Sequence, residues 1–60
     1  MILIHVDLPD DEAHALAQML KRVGYDDYRR LAQSDQQAYA MQSAGEKVRT
    51  ALAEQGLAPR

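Results

Sequence analysis

Apolar and polar residues alternate through MILIHVDL, the first eight positions, and a period of two is typical of a β-strand with one buried face. We expect this strand to end at Leu8, because Pro9 has no N–H group to donate to a sheet. The rest of the chain has no second segment with this pattern, so the strand needs a partner from outside the chain. The predicted buried face consists of Ile2, Ile4, Val6 and Leu8.

From Asp10 onward the apolar residues recur at intervals of three and four, which is typical of one face of an α-helix. We expect this helix over residues 10–23, with Asp10 as its N-cap and Gly24 as a left-handed stop. Asp11 and Glu12 lie in its first turn, where the helix dipole favours negative charge. The predicted buried face consists of Ala13, Leu16, Ala17, Leu20 and Val23.

Two further helices are predicted in the second half of the chain. The first is short; Asp26 or Asp27 can cap it, and we expect Tyr28, Leu31 and Ala32 to face inward. Ser34 and Gln37 have the spacing of a capping box, so we expect the last helix to begin there and to span residues 35–55.

The last helix is predicted to end at Gly56, with Leu57 folding back on Leu52 as in a Schellman motif. The predicted inner face consists of Ala38, Met41, Ala44 or Gly45, Val48, Leu52 and Gln55. Together these elements predict an α+β fold, in which one short N-terminal strand is followed by three helices (β-α-α-α). The whole chain, residues 1–60, forms a single small domain.

A chain of sixty residues buries too little apolar surface to be very stable on its own. Small domains gain stability from disulfides, metals or oligomerisation, and this chain has no cysteine. We therefore expect a homodimer, in which the N-terminal strand pairs with its own copy across a two-fold axis. In the alternative, the chain is a monomer whose free strand edge adds to the sheet of another protein.

The sequence contains no recognisable pattern of catalytic residues. Its three glycines lie far apart, so there is no glycine-rich phosphate loop. His5, Asp7, Asp10 and His14 could be imagined as metal ligands, but acids at a helix start and exposed histidines account for the same residues. We therefore expect no enzyme activity, no cofactor and no metal site.

The segment GYDDYRR is rich in Tyr and Arg, the residue types that contribute most to protein–protein interfaces. In the alternative interpretation, Tyr28 packs in the core while the two arginines pair with Asp26 and Asp27. A net charge of −2 argues against a large surface for nucleic acid. The candidate partner-binding residues are Tyr25, Tyr28, Arg29, Arg30 and Tyr39.

The stretch ILIHVDLPDDEA resembles the start of a ribbon-helix-helix repressor. That family pairs its N-terminal strand with a twin and reads DNA bases with the outward strand side chains, so the resemblance implies a DNA-binding transcription regulator. Here the outward positions include Asp7, and Asp26 and Asp27 lie where the second helix of that family approaches phosphate. The matching residues are Ile4, Val6, Leu8, Pro9, Asp10 and Gly24.

The stretches LPDDEAHALAQMLKRVGYDDYR and EKVRTALAEQGLAPR are similar to a family of short uncharacterised proteins of proteobacteria, phages and mobile elements. This resemblance implies a protein that binds and blocks a host machine, as anti-CRISPR proteins do. We therefore expect a non-enzymatic protein-binding module, with DNA binding as the alternative. The sequence has neither a membrane-spanning apolar run nor a signal-peptide pattern, so we expect a cytoplasmic location.

Overall fold

The computed structural model describes residues 1–57, in which the regular structure consists of three α-helices. The first helix, α1, spans Asp10–Arg22, the second, α2, spans Tyr25–Leu31, and the third, α3, spans Asp35–Glu54. Helices α1 and α2 each pack against α3, which is the longest of the three. The described part of the chain is therefore all-helical.

The predicted N-terminal strand is not present in residues 1–57, and the prediction of an α+β fold was wrong. Residues 1–9 form neither a helix nor a strand. A β-strand exists through hydrogen bonds to a neighbouring strand, and the described part of the chain supplies no such neighbour. The alternating pattern therefore marks an apolar segment outside the helical body and does not mark a sheet.

The prediction of α1 is confirmed to within one residue at its end. Its first hydrogen bond runs from the N–H of Ala13 to the carbonyl oxygen of Pro9, over 2.9 Å. Pro9 occupies the N-cap position, so the expectation that Asp10 caps this helix was wrong, although three acidic residues do lie in the first turn. The buried residues of α1 are Ala13, Ala17 and Leu20, all on the predicted face.

The link between α1 and α2 contains no left-handed residue. Val23 leaves α1 with φ −66° and ψ 131°, and Gly24 is extended, with φ −112° and ψ 175°. The predicted left-handed stop at Gly24 was therefore wrong. Gly24 is the N-cap of α2, and its N–H donates to Oδ2 of Asp27 over 2.9 Å. Asp26 and Asp27 lie two and three positions beyond this N-cap, in the first turn of α2, so the prediction that one of them is the cap was wrong. Leu31, predicted to face inward, is 78% exposed.

The start of α3 is capped as predicted. The hydroxyl oxygen of Ser34 accepts a hydrogen bond from the N–H of Gln37 over 3.1 Å. The side chain of Gln37 accepts from the N–H of Gln33 over 2.6 Å, which is one residue earlier than in a standard capping box. Both bonds satisfy N–H groups at this end of α3 and so fix where the helix begins.

The end of α3 confirms the predicted Schellman motif. The N–H of Leu57 donates to the carbonyl oxygen of Leu52 over 3.0 Å, and the N–H of Gly56 donates to that of Ala53 over 2.9 Å. Gly56 has φ +85°, in the left-handed region that glycine tolerates best. Because this residue reverses the chain, α3 ends at Glu54, one residue before the predicted boundary.

The inner face of α3 matches the prediction at some positions and differs at others. Val48 was predicted to be buried but is exposed, and Arg49 is half-buried in its place. The long alkyl stem of arginine can lie along apolar surface while its charged end reaches water. Ala44 and Gln55 are exposed as well. The predicted positions that are buried or half-buried are Ala38, Met41, Gly45 and Leu52.

The interior of the described chain is built mainly from small side chains. The buried hydrophobic residues in residues 1–57 are Ala13, Ala17, Leu20 and Ala38, and Leu20 is the single large one among them. Small side chains allow helices to approach closely, but each removes little apolar surface from water. The helical body therefore has a small core.

Side chains of both other helices reach α3 at Gly45. A Cβ atom built on Gly45 would overlap Oη of Tyr28 and would lie 3.3 Å from Cζ of Tyr28 and 3.6 Å from Cδ2 of Leu20. Tyr28 belongs to α2 and Leu20 to α1, so both helices reach α3 at this one position. Any side chain at Gly45 would force the ring of Tyr28 to move.

We expect Gly45→Ala to destabilise the protein. Overpacking a filled site costs about 1–3 kcal/mol, and the higher helix propensity of alanine offsets about 1 kcal/mol of this. In a Tyr28→Phe background the closest contact is gone, so the same substitution should be much less harmful or even stabilising. Urea denaturation of the wild type, the two single variants and the double variant measures the coupling between the two sites. An identical effect of Gly45→Ala in both backgrounds would contradict this packing.

The carboxylate of Asp27 makes the stability of α2 depend on pH. The hydrogen bond from the N–H of Gly24 and the ion pair with Arg30 hold the pKa of Asp27 below its ordinary value of 3.8. A lowered pKa in the folded state stabilises the protein above the unfolded-state value, and this stabilisation is lost as the pH falls through the folded-state value.

We therefore expect Asp27→Asn to lower the free energy of unfolding at neutral pH, with the difference from wild type shrinking as the pH falls below 3.8. Denaturant titrations at neutral and at acidic pH measure it. Asp26→Asn, one position earlier on the same turn, is the control. A difference that stays constant across this range would show that the charge of Asp27 does not contribute.

Candidate functional site

Residues 1–8, which we call the apolar segment, carry most of the large apolar side chains that the described chain exposes. Exposure falls along the segment from 94% at Leu3 to 37% at Leu8, where the chain joins the helical body. All four residues of the predicted dimer strand lie in this segment, and each of them is exposed: Ile2, Ile4, Val6 and Leu8. Contiguous exposed apolar surface of this kind is typical of interaction sites.

Two polar residues of the apolar segment contact each other. Nε2 of His5 lies 3.0 Å from Oδ1 of Asp7, and both side chains are almost fully exposed. An exposed pair of this kind contributes little to stability. Within residues 1–57, no three side chains of the metal-binding types come together in a group that could hold a metal ion.

A second candidate surface lies where α2 meets α3, and we call it the tyrosine cluster: Tyr25, Arg29, Asp35 and Tyr39. The rings of Tyr25 and Tyr39 are tilted by 35°, and their centroids lie 4.9 Å apart. This distance and tilt fall in the range of favourable aromatic pairs. One tyrosine comes from each helix, so the pair ties α2 to the first half of α3.

Asp35 connects two other members of the tyrosine cluster, Arg29 and Tyr25. Its Oδ1 accepts a hydrogen bond from Nε of Arg29 over 2.6 Å and one from the hydroxyl of Tyr25 over 3.3 Å. Arg29 also donates from Nη1 to the carbonyl oxygen of Ala32 over 3.3 Å. Partial burial and the negative charge of Asp35 raise the pKa of Tyr25 above its ordinary value of 10.0. The phenol is therefore neutral across the physiological range and acts as a hydrogen-bond donor.

The five predicted partner-binding residues are divided by the structure. Tyr25, Arg29 and Tyr39 come together in the tyrosine cluster. Tyr28 lies against α3 at Gly45 and is half-buried, so it is not a core residue as the alternative interpretation had it. Arg30 pairs with Asp27, as that interpretation predicted.

Arg29 pairs with Asp35 and not with an acid of its own helix, and the sequence reasoning missed this. Asp35 follows Ser34 at the start of α3, where its charge is explained by the helix dipole alone. Its position six residues after Arg29 gives no local signal of contact, because the contact depends on how α2 packs on α3.

Beside Tyr39 an open groove runs along one face of α3. The residues that line it recur at intervals of three and four and, apart from the tyrosine, are polar or charged: Tyr39, Gln42, Ser43, Glu46, Lys47 and Thr50. An exposed aromatic residue with a polar surround resembles the arrangement of a protein–protein interface, whose centre is rich in tyrosine and whose rim is polar. None of the helices described in residues 1–57 is long and apolar enough to cross a membrane.

Comparison with known proteins identifies a family for the whole chain. The model of a family of unknown function, DUF7706, matches residues 1–60. The chain belongs to this family. No curated protein and no solved structure matches the chain. Membership in DUF7706 thus agrees with the expected resemblance to a family without an assigned activity, while the distribution of the family among phages and mobile elements stays a prediction.

We expect Asp35→Asn to lower the pKa of Tyr25 toward its ordinary value of 10.0, because the substitution removes the negative charge that disfavours the phenolate. A titration followed by NMR of the ring carbon that bears the hydroxyl resolves the three tyrosines of the chain. Asp26→Asn is the control, since Asp26 does not contribute to the pKa of Tyr25. An unchanged pKa in the Asp35→Asn chain would contradict the contact.

Proposed function

We propose that this protein is a non-enzymatic module that binds another protein, and that the tyrosine cluster with its groove is the contact surface. The observation that supports this most directly is the exposed ring of Tyr39, 61% accessible, held against Tyr25 at the edge of the polar groove. Tyrosine and arginine are the residues found most often among those whose truncation weakens interfaces.

The contacts within the tyrosine cluster reduce the cost of binding. A side chain that is immobilised on binding loses rotamer freedom, which costs about 0.5–1.5 kcal/mol for each flexible residue. Here Arg29 is already held by Asp35 and by the carbonyl of Ala32, and the rings of the two tyrosines restrict each other. A surface that is ordered before contact spends less of its binding energy on ordering.

The charges of the surface favour a protein partner over DNA. The carboxylate of Asp35 balances the guanidinium of Arg29, and Glu46 and Lys47 lie side by side in the groove. In a ribbon-helix-helix repressor the start of the second helix approaches a DNA phosphate. At the corresponding place here, the start of α2, the N–H of Gly24 already donates to the negatively charged carboxylate of Asp27. The DNA-binding alternative gains no support from this arrangement.

The resemblance to small proteins of mobile elements adds a biological setting to the proposal. In that setting the partner would be a protein of a host machine, and the module would act in the cytoplasm by occupying a surface, as an anti-CRISPR protein does. The family to which the chain belongs has no described activity, so this part of the proposal rests on the sequence resemblance alone.

The proposal is tested by placing a photo-reactive amino acid at Ser43, in the groove, in cells that naturally produce the protein. We expect a crosslinked product that contains a second, different protein. Ala44 is the matched control position, because it is the next residue on α3 and is exposed but does not line the groove. Products of equal yield at both positions, or none at Ser43, would contradict the proposal.

A substitution in the same experiment tests the role of the aromatic ring. Tyr39→Ala should lower the yield of the Ser43 product strongly, since truncating an interface hot spot costs about 2 kcal/mol or more, which is a loss of affinity of about 30-fold. Gln36→Ala, at an exposed position near the start of α3 and outside the groove, should leave the yield unchanged. An undiminished yield with Tyr39→Ala would exclude the tyrosine cluster as the contact surface.

A further inference from the structure

The chain exposes more surface than a compact monomer of its size. Its accessible surface is 5162 Å², whereas a folded monomer of 6.7 kDa is expected to expose about 3,900 Å². The radius of gyration is 12.2 Å, against about 10 Å for a compact chain of sixty residues. The Cα atoms extend over 33 × 28 × 16 Å, so the molecule is flattened along one axis.

Much of this excess lies in the apolar segment. Ile2, Leu3 and Ile4 are each at least 80% exposed, and Val6 is 63% exposed. The buried residues of the helical body, in contrast, include one large side chain, Leu20. The apolar segment therefore holds large apolar side chains that the core of the helical body does not bury.

We infer that the apolar segment packs against a second copy of this chain and that the protein is a homodimer. The surplus of about 1,200 Å² in each copy exceeds the roughly 800 Å² that each partner buries in a standard interface.

The apolar segment has little charge, so two copies of it can pack together without repulsion. Residues 2–6 contain no Asp, Glu, Lys or Arg, so their approach brings no like charges together. The acid of the segment, Asp7, is already in contact with His5 of the same copy. A two-fold axis would present the same segment from both sides, so one sequence serves as both halves of the interface.

The inference is tested on the purified protein alone, and the result is independent of any other partner. Sedimentation equilibrium at micromolar concentration should give twice the chain mass of 6.7 kDa. Replacing both Ile4 and Val6 by Ser should weaken the dimer by at least about tenfold, since two apolar side chains leave the interface. Leu31 is 78% exposed and lies outside the segment, so Leu31→Ser should leave the affinity of the dimer unchanged. A wild-type mass of 6.7 kDa would overturn the inference.

A photo-crosslinking experiment tests the same inference without relying on variants whose fold is destabilised. A photo-reactive residue in place of Leu3 should join two copies of the purified chain, whereas one in place of Leu31 should not. Both positions are exposed leucines in the isolated chain, so they differ in location and not in residue type. A joined product of equal yield at both positions, or none at Leu3, would show that the apolar segment is not the interface.

Discussion

The close approach of the helices at Gly45 is the constraint on which the rest of the structure depends. Helices α1 and α2 each pack on α3, and a side chain from each of them, Leu20 and Tyr28, reaches this position. The approach is possible because Gly45 has no Cβ. Helices at such short distances leave room mainly for small residues between them, and the two most deeply buried residues, Ala17 and Ala38, are alanines with exposures of 1% and 0%.

This mode of packing explains why so much apolar surface stays accessible. Each buried alanine removes little area from water, so a core of three alanines and one leucine contributes much less than a core of leucines and isoleucines would. Six further large apolar residues lie in the apolar segment, outside the helical body, and all six are exposed. The capping bonds at both ends of α3 and at the start of α2 then carry a larger share of the stability than they would in a bigger domain.

The parts of the fold that sequence reasoning predicted correctly are those fixed by local interactions. The Ser34 cap and the Gly56 motif each depend on residues within five positions of one another, so the sequence contains all that determines them. The N-terminal strand was predicted wrongly because a strand depends on a distant partner, whereas the alternating pattern only requires that apolar side chains be present. The contact of Arg29 with Asp35 was missed for a related reason, since it depends on how α2 and α3 pack together.

The two candidate surfaces differ in the conformational entropy that is lost when a partner binds them. The tyrosine cluster is held by contacts between helices, while the apolar segment has no regular structure and must be ordered when it is buried. Ordering the backbone costs about 1–2 kcal/mol for each residue, and fully burying an Ile, Leu or Val side chain contributes about 1.5–3 kcal/mol. The free energy gained by burying each apolar side chain therefore only slightly exceeds the cost of ordering that residue. Ordering His5 and Asp7 brings no such gain. Because association itself costs a further ~4–15 kcal/mol, contact with one or two of these side chains is not enough, and a partner gains affinity only by covering most of the segment.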